Sequence, residues 1–157
     1  MAGSLKVSGT EELAAMLNQL GNQANRIASY ALYDGAAVVA DAYRDAVEEI
    51  QTRPRGNHEP RDEARYPTPE EKAAIVIGVS KFRRDGDWTN TSVGAGEGYT
   101  FVKGRKKAIK LIANSINSGT AFMKKQPVFR KALSRAKAAA QNAMVDTAER
   151  MIKEITK

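Results

Sequence analysis

The sequence has no cysteine, a single histidine and few aromatic residues, and each shortage excludes a class of site. Without cysteine there can be no disulfide, no thiol nucleophile and no zinc site built on thiolates. His58 alone cannot form a multi-histidine metal site, and no neighbouring motif positions it for acid–base catalysis. We therefore expect no metal, no other cofactor and no enzymatic activity.

Long apolar runs are also missing. No stretch approaches the roughly 18 consecutive apolar residues of a transmembrane helix, and the first six residues lack the apolar centre of a signal peptide. Aromatic residues make up only 6 % of the chain and alanine supplies much of its apolar content, which predicts a thin, helix-rich core. We expect one soluble domain over residues 1–157, of cytoplasmic type and without a membrane partner.

Charge is present in quantity but is unevenly distributed. Residues 1–71 hold 7 Lys and Arg against 12 Asp and Glu, whereas residues 72–157 hold 18 against 6. No carboxylate occurs between Glu97 and Asp146. Such a basic block attracts a polyanion or an acidic protein surface, and it can also be a plain solvated face. The acidic half could itself be that surface, within the chain or in a neighbouring copy.

Hydrophobic spacing predicts the helices. One helix begins near Thr10 and is broken or bent at Gly21, and a longer one follows over about 25–50. Small residues beside its apolar stripe, such as Ala31 and Gly35, would let another backbone approach closely. The last helix runs over about 128–155, with its inward face at Phe129, Leu133, Ala136, Ala140, Ala143, Met144, Thr147, Met151 and Ile155.

The middle of the chain has the alternation of strands. Ile75, Ile77 and Val79 predict one strand, followed by a turn at 85–87, a return strand over 88–93 and a short strand over 99–102. A basic helix over about 105–117 follows, with Gly119 in a left-handed conformation at its end. The predicted fold is α+β: long N-terminal and C-terminal helices plus a short basic helix packed on a small antiparallel sheet.

Residues 51–68 contain three prolines, many charged side chains and almost no apolar ones. Such a composition cannot form a packed core, so we predict a long exposed loop that is free to order on docking. Thr68 is suited to cap a short helical turn that begins at Pro69.

Two motifs in the C-terminal third resemble a known family. Ile112–Thr120 (IANSINSGT) is followed by Pro127–Leu133 (PVFRKAL), a helix ending in Gly-Thr and then a proline-led aromatic-Arg start to a long helix. This order is similar to that of the neck, head–tail joining or tail-completion proteins of long-tailed bacteriophages. The acidic pair in Gly9–Leu13 and the strand–turn–strand over 75–93 also match that family.

The sequence departs from the family pattern at three places. Asn117-Ser118 stands where an acidic residue and an aromatic are common, and Phe129 is displaced by one position after the proline. Thr68–Glu71 occupies the place of a Gly-x-Leu that precedes the central strand.

The resemblance implies a structural virion assembly protein that forms a ring at the head–tail junction, through which DNA passes. The implied partners are further copies of the chain, hexameric when docked, neighbouring connector and tail proteins, and DNA in transit. The implied location is the virion, after assembly in the bacterial cytoplasm. The candidate assembly contacts are Asn117, Gly119, Thr120, Pro127, Phe129 and Arg130, of which Phe129 is predicted to be buried against the sheet or the long helix.

The alternative function is that of a small basic protein that binds nucleic acid without sequence specificity. Its candidate residues, which could equally face an acidic protein partner, are Lys103, Arg105, Lys106, Lys107 and Lys110. The stretch lacks a clear recognition helix and an evident aromatic stacking platform, since only Tyr99, Phe101, Phe122 and Phe129 lie nearby. A third reading, an enzyme that uses His58, has no catalytic constellation to support it.

Overall fold

The structure, a computed structural model, describes residues 10–53, 64–85, 88–102 and 104–156. These ranges form an α+β fold, which confirms the predicted class. The helices are α1 (Thr10–Glu48), α2 (Pro69–Ala73), α3 (Ile109–Ser118) and α4 (Val128–Ile155). The strands are β1 (Ile77–Val79), β2 (Arg83–Asp85), β3 (Trp88–Asn90), β4 (Val93–Ala95), β5 (Tyr99–Val102) and β6 (Arg105–Ala108).

Helices α1 and α4 pack antiparallel, as two contacts show. Tyr43 packs against Phe129 in the first turn of α4, and Asp34, earlier in α1, accepts a hydrogen bond from Thr147, later in α4. Small residues line the contact on both helices, as predicted for Ala31 and Gly35: the buried ones are Ala31, Gly35, Ala36, Ala40, Ala132, Ala136 and Ala140. None of the helices in the described part of the chain is long and apolar enough to cross a membrane.

Helix α1 is one continuous element of 39 residues, so the predicted break at Gly21 is wrong. A glycine inside a helix costs only about 1 kcal/mol relative to alanine, which the helix-forming residues on both sides offset. At about 1.5 Å per residue, α1 is roughly 58 Å long and α4 roughly 42 Å. The first turns of α1 therefore extend beyond the end of α4, and Leu17 in this extension is 58 % exposed.

Helix α4 has the predicted bounds, but one inward position is wrong. Leu133 is 45 % exposed, whereas its neighbour Ala132 is buried. The buried positions on this side of the helix are Ala132, Ala136 and Ala140, which recur every four residues, and Leu133 lies one position off that row.

The described strands form three antiparallel pairs rather than one sheet. The β1–β4 and β2–β3 pairs are two ladders of one long hairpin, and the Ser80 amide donates to the Ser92 carbonyl between them at 2.8 Å. The predicted return strand over 88–93 is therefore split in two. Side chains cause the interruption, since the Ser80 hydroxyl accepts from the Ser92 amide at 2.9 Å. Residues 86–87 of the predicted turn lie outside the described residues.

The start of the predicted basic helix is wrong. Arg105–Ala108 is strand β6, which pairs with β5 across a turn where Gly104 has φ 73°, and α3 begins at Ile109. A run of basic residues has no apolar periodicity that would distinguish a helix from a strand. Its conformation is therefore decided by pairing with β5. Within α3, Ile112 and Ile116 are buried as predicted and Ile109 is half-buried.

The apolar core lies where α1, α3 and the strands meet. Its buried members are Ala40, Val47, Ile50, Ile75, Ile77, Val102, Ile112, Ala113, Ile116 and Met123. Branched and flexible side chains dominate here, in contrast to the alanine-lined contact of α1 with α4.

The prediction of an exposed loop over 51–68 is wrong at its C-terminal end. Pro67 and Thr68 are buried, and the Arg53 amide donates to the Pro67 carbonyl at 3.0 Å. Arg65 forms a parallel bridge with Met123, so this end of the loop pairs with the linker before α4. Thr68 caps α2 as predicted and shares a capping box with Glu71. Residues 54–63, which include His58, lie outside the described residues.

The linker between α3 and α4 also contacts the other end of that loop. The Gln126 side chain accepts from the Gln51 amide at 2.9 Å and donates to the Gln51 carbonyl at 3.1 Å. The linker therefore connects α3, α4 and both ends of the 51–68 segment.

Candidate assembly surfaces

The basic residues predicted to face DNA or an acidic partner lie in different environments. Arg105 and Lys106 on β6 and Lys110 at the start of α3 are exposed. Lys107 is half-buried, because successive side chains of a strand point to opposite faces. Lys103 lies outside the described residues.

Lys107 points toward a fully buried carboxylate, that of Glu71. Both guanidinium nitrogens at the end of Arg65 donate to the two Glu71 oxygens at 2.7 Å, and Lys107 Nζ lies 3.0 Å from Oε1. The Thr68 amide donates to Oε2 at 3.0 Å. The carboxylate therefore joins α2, the end of the 51–68 segment and strand β6.

Two opposing effects set the charge of Glu71. Burial by itself raises the pKa of a carboxyl group, since the charged form loses its hydration. The hydrogen bonds from Arg65, the Thr68 amide and Lys107 outweigh burial and lower the Glu71 pKa from 4.5 to about 2. Glu71 is thus ionised at neutral pH, and its partners compensate a charge that would otherwise be very costly to bury.

With Lys107 held on the inner side, the opposite face of the β5–β6 hairpin is open to solvent. Tyr99 and Phe101 lie two residues apart on this face and are 65 % and 71 % exposed. Lys106 is the register partner of Phe101, and its Nζ lies 4.4 Å from the centroid of the Tyr99 ring. We call Tyr99, Phe101 and Lys106 the hairpin face.

The hairpin face was missed by the sequence reasoning, which found no aromatic platform in this region. The i, i+2 spacing of Tyr99 and Phe101 was the available signal, because it places both rings on one side of a strand. The basic run after them concealed the hairpin, since it was predicted to be helical.

A second exposed surface runs along α1. Tyr30, Ala37, Asp41, Asp45 and Glu48 follow steps of seven, four, four and three residues, which places them along one side of the helix. Tyr30 is 53 % exposed, and the Asp41 and Glu48 side chains are 72 % and 83 % exposed. We call this set the acidic stripe.

Some cations already lie beside the acidic stripe. Arg44 pairs with Asp41, and Lys72 Nζ lies 3.6 Å from Glu48 Oε2. Within the described ranges, Asp45 has no cation partner. The Arg26 guanidinium also lies 5.8 Å from the centroid of the Tyr30 ring, so Asp45 is the carboxylate of the stripe that is open to a further cation.

The acidic and basic halves of the sequence do meet within the chain, mostly at sites other than these two surfaces. Lys107 pairs with Glu71, Arg135 lies 3.5 Å from Glu49, and Arg150 lies 3.8 Å from Asp34. Of the acidic stripe, Glu48 also pairs with Lys72 of the basic half, whereas the hairpin face has no such ion pair within the described ranges.

The candidate contacts derived from the family resemblance are spread over the subunit. Asn117 and Phe129 line a cleft of about 800 Å³ between the β1–β4 ladder, α3 and the first turn of α4. Phe129 is half-buried, with its ring centroid 5.3 Å from that of Tyr43, so it packs on the long helix α1. Asn117 Oδ1 is buried without a hydrogen-bond partner in the described structure.

Gly119 has φ 77° and ψ 159°, so the predicted positive φ is confirmed but the left-handed helical conformation is wrong. This combination of angles is restricted almost entirely to glycine. A Cβ at residue 119 would also lie 2.8 Å from Lys125 Cβ. The chain turns back on itself here, since the linker returns toward α3.

The remaining candidates do not form one patch with these residues. Thr120 and Arg130 are exposed, and Pro127 is half-buried directly before α4. The roles visible for Gly119 and Phe129 are internal to the subunit, and an intersubunit role for all six stays a prediction.

Within the described ranges, no group of three or more His, Asp or Glu side chains is arranged to hold a metal ion. Comparison of the chain with models of known families, with curated proteins and with solved structures finds no match.

Proposed function

We propose that this chain is a structural subunit that assembles into a ring at the head–tail junction of a tailed bacteriophage. The motif order Ile112–Thr120 and Pro127–Leu133 supports this assignment by resemblance. Its role is structural rather than enzymatic, its location is the virion, and its partners are further copies and the adjoining connector and tail proteins.

One structural observation carries the proposal. The subunit exposes two separate surfaces: the hairpin face carries two aromatic rings and a lysine, and the acidic stripe carries one aromatic ring and three carboxylates. Large exposed apolar groups beside charges are typical of protein contact sites. Two different surfaces on one chain suit head-to-tail contacts, and such contacts close into a ring when the rotation per subunit allows it.

Electron microscopy of phage particles that carry this chain tests the proposal. We expect density for several copies in a closed ring between the capsid and the tail. Density confined to the capsid interior or to the tail tip would contradict the proposed placement. A ring at the junction built from other chains, with this one absent, would contradict the function.

A second candidate function is binding of nucleic acid without sequence specificity. The observation that favours it is the exposure of Phe101 beside Lys106, with exposed Arg105 at the end of the hairpin. Aromatic rings and cations together form the platforms of single-strand binding proteins.

Fluorescence anisotropy with a labelled duplex and a labelled oligo-dT, at increasing salt, separates the two functions. For a ring subunit we expect weak binding that does not distinguish sequences and falls steeply with salt, because phosphate contacts release counterions. Tight binding at physiological salt that does not distinguish sequences would support the second function, whereas tight binding with strong sequence discrimination would contradict both.

A further inference from the structure

We propose that the hairpin face of one copy docks on the acidic stripe of a second copy, head to tail. This inference rests on the proposed function and deepens it, since it names the two surfaces that would join neighbouring subunits.

Charge complementarity is the first argument. The hairpin lies in the stretch between Glu97 and Asp146, which contains no carboxylate, and its exposed face presents Lys106 beside the two rings. The stripe presents Asp41, Asp45 and Glu48. Opposite charges at a contact guide association and disfavour wrong orientations.

Exposure is the second argument. Phe101 and Tyr99 on the hairpin, and Tyr30 on the stripe, are each more than half exposed in the subunit. Within the described part of the chain, both surfaces therefore stay largely open to solvent and do not cover each other. A second copy can cover both, and because the two surfaces differ, each copy retains one free hairpin face and one free stripe.

The contact between Lys106 and Tyr99 favours a protein over a nucleic acid as the occupant. With the Lys106 ammonium 4.4 Å from the ring centroid, one side of the Tyr99 ring is already covered. Lys107, which follows Lys106 in the sequence, points inward and forms an ion pair with buried Glu71. That leaves Phe101 as the main stacking surface of the hairpin face, whereas a single-strand platform stacks successive bases on several rings.

The size of the contact predicts weak association of free subunits. A buried aromatic side chain covers about 150–250 Å², so the three rings of the two surfaces fall well short of the roughly 1,200 Å² of a stable interface. We expect the free protein to be largely monomeric and the ring to close when a partner gathers the copies. A test should therefore trap transient contacts.

The absence of native cysteine makes disulfide trapping clean. In the full-length chain, Phe101→Cys with Asp45→Cys places one thiol on each surface. Under mild oxidation at high protein concentration we expect a ladder of dimers, trimers and larger species, several-fold more abundant than in a matched control. The control, Phe101→Cys with Glu149→Cys, moves the second thiol to an exposed position on α4.

Mixing the two single variants sharpens the result. Phe101→Cys mixed with Asp45→Cys should give a mixed dimer in excess over either self-dimer, and no trimer, because each copy then has one reactive surface. A symmetric interface would instead favour self-dimers and would overturn the proposal. Lys106→Cys paired with Asp45→Cys repeats the test from a second position, in case Phe101→Cys disturbs folding.

Other outcomes separate this proposal from the function on which it rests. A ladder of cross-linked species no stronger than the control overturns the proposed docking of the hairpin face on the acidic stripe. If phage particles still show a ring of this chain, the proposed function holds and the subunits meet through another interface. If they show none, both fail. If Phe101→Ala removes oligo-dT binding while the ladder stays at the control level, the hairpin face is a nucleic-acid site and the proposed occupant is wrong.

Discussion

The contact of α1 with α4 and the strand-rich middle of the chain are held together by different means. In the helix pair, buried alanines and Gly35 line the contact, and the Met144 side chain fills the space beside Gly35. In the middle, branched apolar residues surround α3, and the buried Glu71 joins three segments through hydrogen bonds. The helix pair should therefore be sensitive to added volume, whereas the middle should be sensitive to the loss of a polar partner.

The largest expected effect tests the middle. Glu71→Ala leaves the Arg65 guanidinium, Lys107 and the Thr68 amide without their shared acceptor, and it removes one half of the capping box. Breaking a buried ion pair on one side costs about 3–5 kcal/mol, and we expect the lower end here because the Arg65 and Lys107 side chains are 25 % and 39 % exposed to solvent. Denaturant unfolding measures the loss.

Glu149→Ala, which removes an exposed carboxylate from α4, is the control and should change stability by less than about 0.5 kcal/mol. Equal midpoints for the two variants would show that the Glu71 cluster does not hold the middle together.

Acid should lower the free energy of unfolding of the strand-rich middle through the same residue, Glu71. The pKa of Glu71 is lowered from 4.5 to about 2 in the folded chain, so its stabilising contribution is complete above the unfolded value. The contribution is lost as pH falls from about 4.5 toward 2, because the unfolded chain takes up the proton first. At 1.36 kcal/mol per pKa unit, the loss is about 3 kcal/mol.

Unfolding midpoints measured across that pH range, for wild type and Glu71→Gln, isolate this contribution. The variant should show a flatter pH dependence. Parallel curves would assign the acid sensitivity to other carboxylates.

A smaller loss of stability is expected from substitutions at Gly119, where the strand-rich middle joins α4. Gly119→Ala places a side chain at φ 77° and ψ 159°, a region that costs about 1–3 kcal/mol, and brings its Cβ against Lys125. Thermal melts should rank Gly119→Val below Gly119→Ala, because a β-branched residue tolerates this backbone least.

Gly104→Ala is the matched comparison for that site. Residue 104 also has positive φ, but a Cβ at this position would meet no atom within 4 Å, so only backbone strain remains. If both alanine variants lose equal stability, the close approach of Lys125 has no energetic role.

The smallest effect probes the helix pair, with two glycines of the same helix. A Cβ at Gly35 would lie 2.2 Å from Met144 Cε and 2.6 Å from Cγ, whereas a Cβ at Gly21 meets nothing within 4 Å. Overpacking costs about 1–3 kcal/mol, and alanine in a helix recovers about 0.5–1 kcal/mol. Gly35→Ala should therefore destabilise by about 1 kcal/mol, and Gly21→Ala should stabilise by about 0.5–1 kcal/mol.

A double-mutant cycle identifies the cause. In a Met144→Ala background the clash is absent, and Gly35→Ala should then raise the melting temperature as Gly21→Ala does. A Gly35→Ala variant that is stable in the presence of Met144 would show that the helices are free to separate.

The two regions also differ in how well they could be predicted. The bounds of α4 follow from apolar spacing, which is a local property of the sequence, and the capping of α2 by Thr68 is equally local. The continuity of α1 through Gly21 was missed because one poor helix former was given more weight than its neighbours. The outward position of Leu133 depends on which side of α4 faces α1. The apolar spacing along α4 does not settle that.

The candidate surfaces were predictable only in part. The basic character of 105–110 is evident from composition, but its division into exposed Lys106 and inward Lys107 requires the strand. The partners of Glu71 include one that is 36 residues away, so no local pattern could have indicated that cluster.

By itself, the sequence determined the α+β class, the extent of α4, the alternation of Ile75, Ile77 and Val79, and the separation of charge between the two halves. Each of these depends on composition or on residues within a few positions of one another. Tertiary structure alone decided that Arg105–Ala108 is a strand, that Glu71 is buried and ionised, and that Tyr99 and Phe101 are exposed together. These outcomes depend on which distant segments pair, because a strand needs a partner for its backbone and a buried charge needs a counter-charge.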